Sequence, residues 1–306
     1  MGDKLNIEVP VDLDGERLDK VLADLLDVSR SVARGLFDGG VEVDGAQAKP
    51  NTRVSRGSIV SSPEPPERQE LQPEPVDFGV LFEDDHVLVV DKPPGVVVHP
   101  GSGRSGGTLA AGLLDRYPSI AGVGAPGRWG LVHRLDKDTS GALLVALSAA
   151  AHETLSAAIK ARQVQREYVA LVRGTLKPPT GTIEAPIGRD SHSPTRRAVT
   201  RDGKWARTHY QVTRNFEATD TSLVRVRLET GRTHQIRVHF AAIGHPVVGD
   251  QAYGGGTSPV ESPRVFLHAA KLTFEHPMKA EEIVVESPLP DDLAKVLGRI
   301  EAAEGA

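Results

Sequence analysis

An aspartate set among cations is the first place in this chain where chemistry could happen. The stretch His133-Arg134-Leu135-Asp136-Lys137-Asp138-Thr139-Ser140-Gly141 places Asp136 between basic residues and just ahead of an apolar run. A carboxylate in that setting is costly to leave unpaired, and it suits work on a polyanion better than a packing role. A second run, Thr230-Gly231-Arg232-Thr233-His234-Gln235-Ile236-Arg237-Val238-His239, supplies further cations. Together they point to a site acting on nucleic acid.

Each of these residues has a plainer reading. Asp136 and Asp138 could be turn or capping residues, the commoner fate of an aspartate. The density of Arg134, Lys137 and Thr139-Ser140-Gly141 around them raises the case for function. Arg232 follows a Thr-Gly turn and is the natural partner for Asp136, since a guanidinium fork keeps a carboxylate ionised and oriented. A phosphate contact or a surface ion pair would explain Arg232 equally well. Tyr168, one of four tyrosines, lies in the basic strand Arg166 to Val172 and could stack on an unpaired base or simply pack in the core. The histidines show no metal spacing: His234 and His239 fall on opposite faces of an expected strand, and no His-Glu-x-x-His pattern occurs. His99, His133 and His268 are better read as hydrogen-bonding backbone or phosphate. No metal, redox or nucleotide cofactor is implied.

The elements that must position these groups follow from periodicity. Leu18, Val21, Leu22, Leu25 and Leu26 have helical spacing, and Ser29 stands where an N-cap belongs for a second helix ended by Gly39-Gly40. Val41 to Gly45 alternates and turns at Asp-Gly, a hairpin signal, with Val54 and Ile59-Val60 as closing strands. Ser61 to Pro75 is rich in Pro and Glu and reads as an extended linker. Beyond it, Val80-Phe82, Val87-Asp91, Leu131-Val132, Ala142-Ala146, Arg166-Val172, His209-Thr213, Ser222-Leu228 and Gln235-Phe240 read as strands, with helices at Thr108-Leu114 and Ala149-Arg162. The glycine runs 101–107 and 254–256 read as mobile loops. The expected architecture is α+β: a small α/β module over 1–62, a linker over 63–77, and a larger domain over 78–306. A mixed, largely antiparallel sheet with flanking helices would carry the larger domain.

Composition agrees with a soluble, cytoplasmic protein. No apolar run approaches the ~20 residues of a membrane span, and the charged start does not suit a secretory signal. Cysteine is absent, which removes disulfides and thiolate chemistry together. The net charge of −5 argues against a nucleic-acid partner until its distribution is read. Residues 64–91 hold nine acids and one base, whereas Lys160 to Arg214 holds twelve bases and four acids. The positive charge is therefore gathered beside the suspected site, where Arg196, Arg197, Arg201, Lys204 and Arg207 are candidates for phosphate contact.

With those residues in view, the chain resembles the RluA/RluD family of RNA pseudouridine synthases over nearly its whole length. Lys92-Pro93-Pro94-Gly95 through His99-Pro100 is similar to that family's first motif, His133 to Gly141 to its active-site motif, and Thr230 to His239 to its third. Phe266-Leu267-His268-Ala269 is similar to the closing stretch. The front end resembles the RNA-binding module named after ribosomal protein S-four, with Lys20, Arg30, Arg34, Lys49 and Arg53 as its RNA-facing set. That module departs from expectation in carrying eight bases against eleven acids over residues 1–62. The resemblance implies that Asp136 is the catalytic aspartate, Arg232 its ion-pair partner, and Tyr168 a contact to the base. It also implies that Arg134 fills the space the base vacates, that Ile236 and Leu267 wall the pocket, and that His133 and Lys92 join the substrate-binding set.

The reaction implied is isomerisation of specific uridines in RNA, with large-subunit ribosomal RNA the expected partner and transfer RNA the alternative substrate. Uracil would leave its ribose as a delocalised anion, rotate, and rejoin through carbon 5, with Asp136 attacking the sugar or taking a ribose proton. A non-catalytic RNA-binding or ribosome-assembly factor on the same scaffold is the competing reading. A small-substrate glycosidase fits less well because a second carboxylate is wanting. Nothing in the sequence calls for an oligomer, and a monomer without membrane partners is expected.

Overall fold

The apolar run after the Asp136 loop becomes a strand buried along its whole length, and a large sheet is laid out on both sides of it. The computed structural model describes residues 4–28, 30–66, 71–99, 106–125, 127–193, 196–258 and 260–305. The chain divides into two compact units, Met1–Glu70 and Leu71–Ala306.

In the first unit β1 (Lys4–Glu8), α1 (Leu18–Leu25), α2 (Arg30–Gly35), β2 (Glu42–Val43), β3 (Ala46–Gln47) and β4 (Ile59–Pro63) form a four-stranded sheet, order β1-β4-β2-β3, with two helices. The Asp-Gly signal is the hairpin turn between β2 and β3. Asp44 and Gly45 both have positive φ, as the two central positions of a type I′ turn require. Leu18, Val21 and Leu22 of α1 pack with Ala33, Val41, Val54 and Val60 in a small core. The expected cap Ser29 lies outside the described residues.

The second unit contains β5 (Gly79–Glu83), β6 (Val87–Lys92), α3 (Leu109–Arg116), β7 (Ser140–Ala146), α4 (Ala149–Lys160) and β8 (Gln165–Arg173). It continues through β9 (Thr180–Glu184), β10 (Ile187–Arg189), β11 (Arg197–Val199), β12 (Arg207–Phe216), β13 (Thr221–Leu228), α5 (Gln235–Ala242), β14 (Leu267–Glu275), β15 (Glu282–Glu286) and α6 (Asp291–Glu304). Nine strands form one sheet in the order β5-β6-β7-β14-β8-β13-β12-β9, with β15 added to β14. Only β7 and β14 run parallel, so the sheet is mixed and largely antiparallel, and the fold is α+β. The helices α3 and α4 start where a hydroxyl caps them: Thr108 accepts from the Ala111 amide and Ser148 from that of Ala151.

Three expectations are corrected here. Residues 71–77, read as linker, lie along α3: Leu71 is buried in the second core, and the Glu74 amide donates to the Ala111 carbonyl at 3.3 Å. Gln235–Phe240, read as a strand, is the helix α5. Its alternating Ile236, Val238 and Phe240 mimic period two, but His239 and Gln235 are buried as well, so the element is enclosed nearly all round and shows no polar stripe. Gly254–Gly256 is no mobile loop. Gly255 starts a 3₁₀ turn packed so tightly that a Cβ would collide with the Val247 carbonyl.

Candidate active site

Asp136 sits in the tight turn that leads into β7, where the Thr139 amide donates to the Asp136 carbonyl at 3.2 Å. Two largely buried basic side chains hold this turn. Lys92, with no exposed surface, donates its Nζ to the carbonyls of Pro93, Val96 and Lys137 at 2.7, 2.9 and 3.0 Å. Arg264 donates Nη1 to the Asp138 carbonyl and Nη2 to Ser140 Oγ, both at 3.0 Å, while its fork is held by Asp292. Gly141 closes the arrangement: its φ is +111°, and a Cβ there would run into the backbone of Ala269 on β14. The Thr-Ser-Gly ending of the motif is thus what lets β7 and β14 meet beside the carboxylate.

The guanidinium that reaches Asp136 is that of Arg237, not Arg232. Arg237 Nη1 lies 3.4 Å from Asp136 Oδ2. Its Nε and Nη2 grip the fully buried Asp250 at 2.7 and 2.9 Å, and Tyr253 lies against the guanidinium plane, with the ring centroid 5.0 Å away. Burial opposes the charge on Arg237, but the hydrogen bonds it donates to Asp250 and the neighbouring charge of Asp136 outweigh it and push the group further up, so it is a fixed cation. Arg232 is exposed and spends its Nε on the Trp205 carbonyl at 3.0 Å. The physical reason is the helix. The turn before α5 is locked by Gln235, whose side chain bonds Thr230, the Arg232 amide, the Arg207 carbonyl and Thr208. His234 at the helix start takes the left-handed conformation, φ 59°, and the first turn then carries Arg237 toward Asp136 while Arg232 stays on the rim.

A small cavity opens over Asp136, lined among others by Arg134, Tyr168, Arg232, Ile236 and Leu267. Ile236 and Leu267 are buried and supply apolar wall. Tyr168, on β8 opposite Ala269 of β14, is also buried, and burial pushes its phenol above the usual tyrosine range, with Asp136 adding to the shift. Its hydroxyl has no hydrogen-bond partner among the described residues. A carboxylate paired with a fixed cation and a neutral phenol therefore come together beside one pocket that Ile236 and Leu267 wall in part.

The sequence profile described as RNA pseudouridylate synthase matches residues 86–242, which contain all of these groups except Asp250, Tyr253, Arg264, Leu267 and Asp292. The chain is 42% identical over 297 residues to the uncharacterized RNA pseudouridine synthase YlyB of Bacillus subtilis, covering 96% of this chain and 97% of that one. It is 44% identical over 308 residues to the ribosomal large subunit pseudouridine synthase D of Nitrosomonas europaea, covering 97% and 88%. Among solved structures, human RNA Pseudouridylate Synthase Domain Containing 1 matches with a TM-score of 0.56 and 30% identity, over 74% of this chain and 95% of that one.

The chain belongs to the RNA pseudouridine synthase family. It is accordingly an isomerase that converts uridine in RNA to pseudouridine.

The remaining members of the expected site set are placed as follows in this synthase. Lys92 is corrected from an RNA contact to an internal tie, because full burial and three carbonyl partners leave it nothing to offer a ligand. Burial lowers its ammonium to about 7. His133 lies behind the pocket with its Nε2 accepting from the Leu144 amide at 3.0 Å. Burial, with Arg166 nearby, lowers it to about 3 and keeps it neutral. Arg134 is exposed at the cavity mouth. Arg196 stacks over Tyr253 at 5.0 Å, and the Arg197 amide donates to the Tyr253 hydroxyl. In the N-terminal unit, Lys20 is paired with Glu16 at 2.7 Å, and Arg30 and Arg34 gather with Arg17 around the buried Asp19. One buried acid thus organises three exposed guanidiniums, which offsets the module's acidic total on that face.

Sequence reasoning missed Arg237, Arg264 and Arg166. For Arg237 a signal existed: Ile236 and Phe240 are four apart, and a helical reading would have moved the cation nearest Asp136 from 232 to 237.

Proposed function

We propose that this synthase isomerises specific uridines of large-subunit ribosomal RNA, with Asp136 as the catalytic carboxylate. The observation that carries the reading is the pairing of Asp136 with Arg237 beside a pocket lined by Asp136, Tyr168, Ile236 and Leu267. Near full-length likeness to large subunit synthases supports the choice of RNA. The target base must leave its stack, at a cost of a few kcal/mol that is least in a loop. Arg134 at the mouth takes the space it leaves. Asp136, oriented by Arg237, acts on the ribose, by attack at carbon 1′ or by removing a ribose proton. Either route needs the carboxylate beside the sugar. Uracil departs as an anion, turns against Ile236 and Leu267, and rejoins through carbon 5, which either displaces the Asp136 carboxylate from carbon 1′ or adds to the glycal as Asp136 returns the ribose proton. Carbon 5 then gives up its proton and nitrogen 1 takes one up, so no net proton is consumed. Tyr168, a neutral phenol, bears on the base as a hydrogen-bond donor. The N-terminal unit serves as an S-four-type RNA-binding module through Arg17, Arg30 and Arg34. In this reading the protein works as a monomer in the cytoplasm.

The test is to incubate the protein with large-subunit RNA and map pseudouridine by chemical derivatisation and primer extension. Wild type should mark discrete uridines and Asp136→Asn none. Equal marking by both would overturn the role of Asp136, and no marking by wild type would overturn the substrate.

A further inference from the structure

A second cavity, of about 340 Å³, adjoins the one over Asp136. The two share Arg134, Arg166, Gly231 and Arg232 in their walls. The larger one is lined by five cations, namely those two flanking arginines with Arg166, Lys160 and Arg162, against the single acid Glu229. Glu229 is already committed to Arg162, Arg207 and His209.

Arg166 is the unusual member. It lies on β8 two residues before Tyr168 and is only 5% exposed. Its Nε has no hydrogen-bond partner, and no carboxylate of the described residues lies within ion-pair distance of it. A guanidinium so largely enclosed, opening only on a cavity and with no counter-ion in the protein, is unfavourable unless something that enters the cavity supplies the charge. His133 beside it is in the same state. Because its Nε2 accepts from Leu144, its Nδ1 must carry the proton, and that buried donor also has no partner. Gly231 leaves the guanidinium uncovered, since a Cβ there would stand 2.9 Å from Arg166 Nη1. Two buried, unanswered donors and four further cations around one cavity favour an anionic occupant.

We propose that this cavity binds a phosphodiester of the substrate RNA, one of the two flanking the target uridine, with Arg166 as its anchor. Lys160 and Arg162, exposed at the rim, draw the strand in. Arg162 is stacked over Trp205 at 4.5 Å, which holds its charge at the opening. A phosphate seated there would fix the register of the strand and so decide which nucleotide enters the neighbouring pocket, since backbone contacts position and do not read bases. This assignment rests on the reading of the chain as an RNA-modifying enzyme whose target enters the Asp136 pocket.

The test uses a short RNA containing a uridine that wild type converts, made as a series in which single linkages near it are neutral methylphosphonates. Replacing one flanking linkage should weaken binding to wild type by roughly tenfold or more, as loss of a charge-assisted contact does. Arg166→Gln should bind the natural RNA with that same loss, show a salt slope smaller by roughly 0.7, and be indifferent to that linkage. Lys160→Gln, on the surface, should lose part of the sensitivity without a change in folding. Equal effects of every linkage on wild type, or undiminished sensitivity in folded Arg166→Gln, would overturn the proposal while conversion of natural RNA left the functional reading intact. Failure of wild type to convert any RNA would strike the functional reading instead.

Discussion

Replacing Arg237 by Gln separates what that residue does for the fold from what it does for the reaction. Its fork is the main charge partner of Asp250, which has no exposure and otherwise keeps only the Ala252 and Tyr253 amides, at 3.1 and 3.3 Å on one oxygen. Truncating one member of a buried pair costs ~3–5 kcal/mol because the other charge stays behind. At ~2–4 °C per kcal/mol for a unit of this size, the melting temperature should fall by roughly 6–20 °C. The double variant Arg237→Gln/Asp250→Asn removes the stranded charge and should recover most of that loss. Turnover should not recover with it, because Asp136 still lacks the cation 3.4 Å away. Single-turnover pseudouridine formation should fall by ~10²-fold or more in both variants, the scale on which a misplaced catalytic group is felt. Thermal melts and single-turnover rates on the same preparations make the comparison. A double variant that regained turnover along with stability would show that Arg237 acts only through the fold, and the reasoning would fail.

Arg232→Gln provides the contrast. It should change stability by no more than ~0.5 kcal/mol and weaken RNA binding more than turnover, and a turnover loss matching Arg237→Gln would refute the reassignment. Tyr168→Phe should fold normally, since the hydroxyl has no hydrogen-bond partner among the described residues, and the wild-type pH–rate profile should show no ionisation of this phenol near neutrality. A limb below the ordinary tyrosine range that disappears in the variant would contradict that. His133, lowered from 6.5 to about 3 by burial, makes the folded state lose stability as pH falls through that window, because the unfolded chain takes up the proton first. His133→Asn should therefore flatten the acid side of the stability curve, and an unchanged slope would count against a neutral, buried ring. Lys92, lowered to about 7, acts with the same sign in a higher window: between that pH and its ordinary value of 10.5 the unfolded chain holds the proton and the fold does not. Wild type should gain on Lys92→Met at up to ~1.4 kcal/mol per pH unit as pH rises there, and denaturant midpoints that stay parallel would exclude this.

The large sheet was legible because its central strands are simple. Ala142–Ala146 is an unbroken apolar run buried on both faces, and Ser222–Leu228 alternates cleanly. The helices α3 and α4 announce themselves through Thr108 and Ser148. The helix α5 did not, because burial on nearly every side erased the polar stripe that marks a helix, and the remaining alternation of Ile236, Val238 and Phe240 looked like a strand. That single misreading carried Arg232 into a role that Arg237 fills. Lys92 was misjudged for a related reason. A lysine in a polar turn is ordinarily a surface cation, and only three-dimensional closure shows its ammonium satisfied by three carbonyls. The polar turn that carries Asp136 and the burial of Tyr168 on its strand could be read from local context, whereas Arg166 and Arg264 gain their meaning from groups that are distant in sequence, or from having none.

The most direct measurement is the single-turnover conversion rate of a mapped uridine by Asp136→Asn, taken beside the affinity of the same variant for the same RNA. The carboxylate should be needed for the chemistry and not for the grip, so affinity should stay near wild type while conversion disappears. Conversion that persists, or that falls only in step with affinity, would contradict the role given to Asp136.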